Sequence, residues 1–318
     1  MSKFSNAIVR RADLLAHHEC VRLLDRDGDS MQGLVIDKYG PCAVAYVDEQ
    51  YQDADFVQTL SDPAILSDLG VSGLLTHIRY THAAKSFAER GATPCGDVSH
   101  TYTVEEHGIR YAIYPFDLLN AGLFLDMRDV RAQLRSASHD LRVLNLFSYT
   151  GSLGLAALHG GAKEVVQVDI SQKVLTVARQ NEALNQRSGL GVVKYIKEDA
   201  GEYLARSARR RKREGAGFDL IIIDPPSFAR AKRGVFALER ELENLLVNAL
   251  YSLNKSGQII FSCNLTSLDT ATIQALAHEI MYREGFAASS IQQLLLPVDF
   301  TAPERVSTAM RGVWIRII

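Results

Sequence analysis

The chain has 318 residues, 47% hydrophobic and 23% charged, with a formal net charge of −2. That composition suits one large globular domain or two ordinary ones, and it excludes a global electrostatic field for polyanions, so any such partner needs a local basic patch. The four cysteines, at 20, 42, 95 and 263, lie far apart with no CxxC pair. This argues against a zinc site or a disulfide framework and for reduced thiols in a cytoplasm. The N-terminus lacks the apolar core of a signal peptide, and no apolar run approaches about 18 residues, so a cytoplasmic protein without a membrane span is expected.

In chain order, residues 1–24 read as helix, with Arg10 and Arg11 as solvated helix charges rather than phosphate contacts. Residues 33–37 and 43–48 read as strands around Lys38-Tyr-Gly-Pro41, 54–69 as a helix and 73–78 as a strand. The Gly-, Pro- and Thr-rich stretch 91–99 marks a boundary, giving a small α+β domain over 1–98 and a second domain over 99–318. Histidines 17, 18, 77 and 82 do not share metal-like spacing with acids or cysteines, and no metal site is proposed. A hairpin is expected over 101–105 and 110–114, around Glu106-His107-Gly108. Strands at 142–147, 164–169, 192–196, 218–223 and 257–262 then alternate with helices near 152–160, 171–185, 200–213, 236–253 and 269–284. Two more strands are expected at 290–296 and 312–318. Such alternation implies an open, mostly parallel sheet with helices on both faces.

The stretch Arg142–Gly154 is a buried strand, a glycine turn and a helix start, a combination that makes a site for a nucleotide-like ligand. Its glycines at 151 and 154 let the backbone approach the ligand. Asp169 ends the next strand, where a carboxylate accepts both ribose hydroxyls of an adenosine; capping the following helix is a compatible role. An NAD site would share these features, but Gly151-Ser-Leu-Gly154 is only half of GxGxxG. Asp199, ending the third strand, either accepts the adenine amine or caps a helix. Asp224-Pro-Pro-Ser-Phe228 follows the apolar strand 218–223 at the carboxyl edge of the sheet. The two prolines fix the turn, so its carbonyls have set directions towards a planar polar substrate, and Phe228 can stack on a base. Cys263 ends the fifth strand, either as packing or as a thiolate that adds to C6 of a pyrimidine and activates C5. Arg206 and Arg209–Arg213 form a basic run that is either an RNA contact or a solvated helix end. Arg230, Lys232 and Arg233 lie beside the Asp-Pro-Pro turn and are read as substrate contacts.

These motifs together resemble a known family. The matching pieces are Gly33-Leu-Val-Ile-Asp-Lys-Tyr-Gly40, Glu105-Glu-His-Gly108, Gly122-Leu-Phe-Leu-Asp-Met-Arg128, Asn145-Leu-Phe-Ser-Tyr-Thr-Gly151, Val168-Asp169, Asp224-Pro-Pro-Ser-Phe228 and Phe261-Ser-Cys263. The chain resembles the class I S-adenosylmethionine-dependent large-subunit (23S) rRNA methyltransferases, and an acid, two prolines and an aromatic form the pattern of such enzymes acting on planar nitrogen groups or nucleobases. The resemblance implies a Rossmann-like α/β sheet with a small N-terminal α+β domain, S-adenosylmethionine as methyl donor and 23S ribosomal RNA as partner. It implies donor contacts from Phe124, Asp126, Arg128, Phe147, Ser148, Tyr149, Thr150, Gly151, Asp169, Ile170, Asp199, Ala200, Asp224 and Pro225. It implies substrate contacts from Pro226, Phe228, Arg230, Lys232 and Arg233, with Cys263 and Asp224 as catalytic residues. Family members usually begin with an RNA-binding PUA domain, which this sequence is expected to lack. Ser262-Cys263-Asn264 stands between the Ser-Cys-Ser of the cytosine-C5 branch and the Ser-Asn-Asn of the guanine-N7 branch. Cytosine C5 is the expected acceptor, with guanine N7, a protein or small molecule, or a non-catalytic ribosome-binding role as alternatives. A homodimer is left open.

Overall fold

The structure is a computed structural model describing residues 3–53, 55–79, 92–186, 189–226, 228–231, 234–265, 267–302 and 309–318; of residues 228–231 and 234–240 only the backbone path is described. The chain divides into two compact units, Met1–Arg128 with Pro297–Ser307, and Asp129–Leu296 with Thr308–Ile318.

The first unit opens with α1 (Lys3–Arg10) and α2 (Ala12–His17), and then β1 (Cys20–Asp25). The helix expected to reach residue 24 therefore stops at His17. Cys20–Asp25 is buried at almost every position and pairs antiparallel with β2 (Leu34–Tyr39), so sheet pairing overrides a run that could pass for a helix face. β3 (Cys42–Asp48) follows β2 through a tight turn in which Gly40 has φ +59. The helix expected over 54–69 is two short pieces, α3 (Asp55–Thr59) and α4 (Ala64–Leu69), split at Pro63, whose ring cannot sit in a helix interior. This crossover places β4 (Gly73–Arg79) parallel to β3, and β5 (Thr93–Gly96) closes a five-stranded sheet ordered β1-β2-β3-β4-β5. The hairpin β6 (Tyr102–Glu106) and β7 (Ile109–Ile113) turns at His107 and Gly108, which both have positive φ, as a two-residue hairpin turn requires.

The described residues 92–99 thus do not form a plain linker. Thr93–Gly96 is an edge strand of the first sheet, and Tyr39 Oη donates to the carbonyls of Asn120 (3.0 Å) and Leu123 (3.1 Å). These bonds hold residues through Arg128 in the first unit, whose division lies well beyond residue 98.

The second unit contains α5 (Arg128–Ala137, its first residue shared with the first unit), β8 (Arg142–Leu146), α6 (Ser152–His159), β9 (Glu164–Asp169), α7 (Gln172–Ala183), β10 (Val192–Lys197), α8 (Ala200–Glu214) and β11 (Phe218–Ile223). A small hairpin, β12 (Phe228–Ala231) and β13 (Gly234–Ala237), leads to α9 (Leu238–Ser252), β14 (Leu253–Cys263), α10 (Thr270–Glu284), β15 (Ala288–Gln293) and β16 (Arg311–Ile317). The seven-stranded sheet is ordered β10-β9-β8-β11-β14-β16-β15, with only β16 antiparallel to its neighbours. Its core is aliphatic, built from Leu144, Leu146, Ile221, Ile223, Ile259 and Phe261 against α8, α9 and α10. The strand order reverses direction between β8 and β11, and a crevice at the carboxyl ends of such a pair is where open α/β sheets bind ligands.

Candidate donor and acceptor site

The register of the sheet brings four chain segments to one row. Leu146 pairs with Val168 and with Ile223, and Ile223 pairs with Phe261. The residues that follow, Phe147, Asp169, Asp224 and Ser262, therefore leave the sheet side by side at the switch point. Expectations spread over more than a hundred residues of sequence converge here.

Phe147 and Tyr149 hold φ of +54° and +49°, and Gly151 +79°. Left-handed backbone at two non-glycine residues costs about 1–3 kcal/mol each and persists only where surrounding bonds over-determine it. Those bonds are present. Tyr149 N donates to Asp169 Oδ2 (3.0 Å), Ser148 N to the Val168 carbonyl (3.0 Å) and Asn181 Nδ2 to the Thr150 carbonyl (3.0 Å). Gln167, the one amide in β9, accepts from Asn145 Nδ2 (2.7 Å) and donates to the Gly151 carbonyl (3.0 Å). The glycines also have neighbours within the protein. A Cβ on Gly154 would lie 2.7 Å from the Gln167 carboxamide carbon and oxygen, and one on Gly151 2.9 Å from the Ala178 methyl. Gly154 has no room for a side chain because Gln167 lies against it.

Asp169 also accepts from Ser171 N (2.8 Å). Burial pushes its carboxyl above the ordinary range, and the N–H groups of Ser171, Tyr149 and Ile170 pull against that. Beside it, Ile170 leaves 45% of its surface exposed, and the buried Ser148 hydroxyl has no hydrogen-bond partner. A half-buried carboxylate, an exposed aliphatic face and an unanswered hydroxyl at one strand edge fit an adenosine-bearing ligand: ribose on the acid, the ring on Ile170. Asp199 caps α8, its Oδ1 accepting from Glu202 N (3.0 Å), while Ala200 packs into the core cluster.

On the acceptor side, Asp224 Oδ1 receives the Ser262 hydroxyl (2.7 Å), a partner that sequence reasoning did not assign to it. Pro225 is buried and Pro226 exposed. Cys263 is 1% exposed and belongs to the core cluster. Burial, with Asp224 acting in the same direction, raises its thiol; the Leu265 N–H and Arg311 oppose this only in part. Arg311, also missed, lies directly across from Cys263 on β16. Asn264 is exposed where Cys263 is not. Phe228 and Arg230 fall on β12, whose side chains are not described, and Lys232 and Arg233 lie outside the described residues.

Phe124, Asp126 and Arg128 lie in the first unit. Arg128 is buried and bidentate to Asp299 (2.6 and 3.1 Å), with a further bond to the Cys20 carbonyl (3.3 Å). Of the basic run on α8, Arg206 is paired with Glu198, Arg210 and Arg213 with Glu214, and Arg211 Nε with the Leu253 carbonyl. Among the described residues no cluster has the make-up of a metal site, and no helix is long and apolar enough to cross a membrane.

Sheet order, switch point and strand-end acid define a class I methyltransferase fold. The S-adenosylmethionine-dependent methyltransferase family matches residues 38–306, and the chain belongs to that family, whose methyl donor is S-adenosylmethionine. It is 30% identical over 298 residues to "Ribosomal RNA large subunit methyltransferase K/L" of Alteromonas mediterranea, covering 92% of this chain and 40% of that one. It is also 30% identical over 275 residues to "Ribosomal RNA large subunit methyltransferase I" of Aeromonas salmonicida, covering 81% of this chain and 63% of that protein. The chain thus spans about two fifths of the K/L relative's length. Among solved structures, SMU.776 complexed with SAH superposes with a TM-score of 0.82 at 26% identity, covering 99% of this chain and 80% of that one.

Proposed function

We propose that this chain methylates a nucleobase of large-subunit ribosomal RNA, and that the acceptor is a ring nitrogen that is already nucleophilic, guanine N7, rather than cytosine C5. The names of the relatives support the RNA class. The observation that carries the choice of atom is the burial of Cys263.

The bound donor supplies an electrophilic methyl on a sulfonium. The chain's own residues do the rest. Asp169 orients the ribose, Ile170 covers the adenine, and the strained turn Phe147–Gly151 keeps both in register. Asp224, held by Ser262, and the fixed Asp224–Pro226 carbonyls orient a planar base. The N7 lone pair of guanine forms the new N–C bond as the C–S bond breaks and its electrons return to sulfur; no enzyme nucleophile is required. Methylation at cytosine C5 demands more, because a thiolate must add at C6 and a base must later remove the C5 proton. A thiol at 1% exposure, with burial and Asp224 both raising its pKa, is poorly suited to that addition.

Turnover of Cys263→Ala on ribosomal RNA tests the choice. The N7 reading expects turnover within about threefold of wild type, since no covalent step is lost. A loss beyond about a hundredfold with donor binding intact would establish Cys263 as nucleophile and return the acceptor to cytosine C5.

A further inference from the structure

The end of α8 carries a charge that neither the donor site nor the acceptor site uses. Arg209-Arg-Arg-Lys-Arg213 fills its last turns, and between Glu202 and Glu214 the helix has no acid. Among the described residues, Glu214 is the one carboxylate paired with any of these cations. It binds Arg210 through Nε (2.7 Å) and Arg213 through Nη2, and the two arginine side chains stay 56% and 77% exposed. Arg211 turns inward instead: its Nε donates to the Leu253 carbonyl (3.0 Å), and a Cβ on Gly217 would lie 2.7 Å from its Cδ. Arg209 and Lys212, about one turn apart on the helix, are exposed, and their side chains make no ion pair or hydrogen bond among the described residues.

Carboxylates on the adjoining strands and loop are committed elsewhere. Glu164 is paired with Arg142 and Lys194, Asp219 accepts from Asn254 Nδ2 (2.7 Å) and Arg142 N (2.8 Å), and Glu198 holds Arg206. A plain solvated face mixes both signs of charge, and the dipole at a helix C-terminus favours cations only within the last turn. On α8, like charges stand three and four residues apart, where they repel. The basic turn is nevertheless held in place. Gly215 ends the helix in the left-handed region (φ +75°), and its N–H bonds the Arg211 carbonyl (2.9 Å). In a chain of net charge −2, five cations against one carboxylate form a local and fixed excess of positive charge.

We propose that Arg209 and Lys212, backed by Arg210 and Arg213, dock the phosphate backbone of the RNA substrate. The docking face rests on the ribosomal RNA reading above and adds to it a contact remote from the acceptor base. A polyanion supplies the negative charge that the helix lacks, and exposed guanidinium forks match the paired oxygens of a phosphodiester. α8 begins at the carboxyl edge of the sheet, directly after Asp199, and its fifteen residues run about 22 Å back to the start of β14. A single nucleotide at the acceptor site does not span that length, so the basic turn grips RNA that flanks the methylated base. Such a contact fixes the position of the RNA without reading its sequence.

The full chain is titrated with a large-subunit rRNA transcript between about 50 and 200 mM salt, with donor affinity measured in parallel by calorimetry. Arg209→Gln combined with Lys212→Gln removes two side chains that bond to nothing among the described residues, so the fold is spared. This double variant is expected to weaken RNA binding and lower the slope of log K against log salt by about 1.4 to 1.8, with donor affinity unchanged. Glu214→Gln releases Arg210 and Arg213 and is expected to tighten RNA binding, a gain that an ion pair serving only the helix would not give. An unchanged slope in the double variant, or no gain in Glu214→Gln, overturns the docking face. Polyglutamate binding as tightly as the RNA would also overturn it, making the basic turn a face for acidic protein. No RNA affinity in the wild type at the lowest salt overturns the ribosomal RNA reading itself.

Discussion

Asp169 is the residue on which the proposed donor binding turns. It is half-buried, tied to Tyr149 N and Ser171 N, and its carboxyl is raised by burial. Charge-assisted hydrogen bonds contribute about 1.5–3 kcal/mol, so Asp169→Ala is expected to weaken S-adenosylmethionine binding by roughly 10- to 150-fold in calorimetry. Protonation removes the charge that strengthens these bonds and turns one oxygen into a donor, so wild-type affinity should fall as pH drops through a value above the ordinary 3.8, and Asp169→Ala should lose that dependence. An unchanged affinity in the variant would displace Asp169 from the donor site. This acid, like Asp224, was legible because a strand end fixes where its residue emerges. Cys263 was not. β14 is buried at every position from Ile259 to Cys263, so no alternation told which side the thiol faces, and the exposed neighbour proved to be Asn264.

At the scale of elements, Gln167 braces the glycine turn. A polar residue inside Val165-Val166-Gln167-Val168 looks like an interruption; in the fold it braces the turn by bonding Asn145 and Gly151. Gly154→Ala sets two effects against each other. Alanine gains about 1 kcal/mol of helix propensity, but its methyl would meet a carboxamide held on both sides, and overpacking costs about 1–3 kcal/mol. The expected outcome in urea melts is net destabilisation, relieved when Gln167 is also cut to Ala. A stabilised Gly154→Ala would refute the brace. The parallel strands and long helices were legible from apolar runs and spacing, whereas β1 was not: Val21, Leu23 and Leu24 suit a helix face as well as a buried strand, and only β2 decides between them.

At the scale of the molecule, the division into units depends on a pairing that no local pattern reveals. Asp299 and Arg128 are 171 residues apart, and both are buried in the first unit, where Asp299 Oδ2 also accepts from Arg22 N (2.8 Å). Removing one partner of a buried pair strands the other charge, so Asp299→Ala is expected to cost about 3–5 kcal/mol in denaturant unfolding. Replacing the pair together, Arg128→Met with Asp299→Leu, should recover most of that; a loss below about 1 kcal/mol in the single variant would show the pair to be dispensable. The proposed passage of a methyl group from S-adenosylmethionine to a base of large-subunit ribosomal RNA is open to nucleoside mass spectrometry. Ribosomal RNA from cells lacking the protein is incubated with the purified chain and isotopically labelled donor, digested and mapped. The account predicts label at one position of the large-subunit RNA, as 7-methylguanosine; an RNA that gains no label while the chain still binds the donor would contradict it.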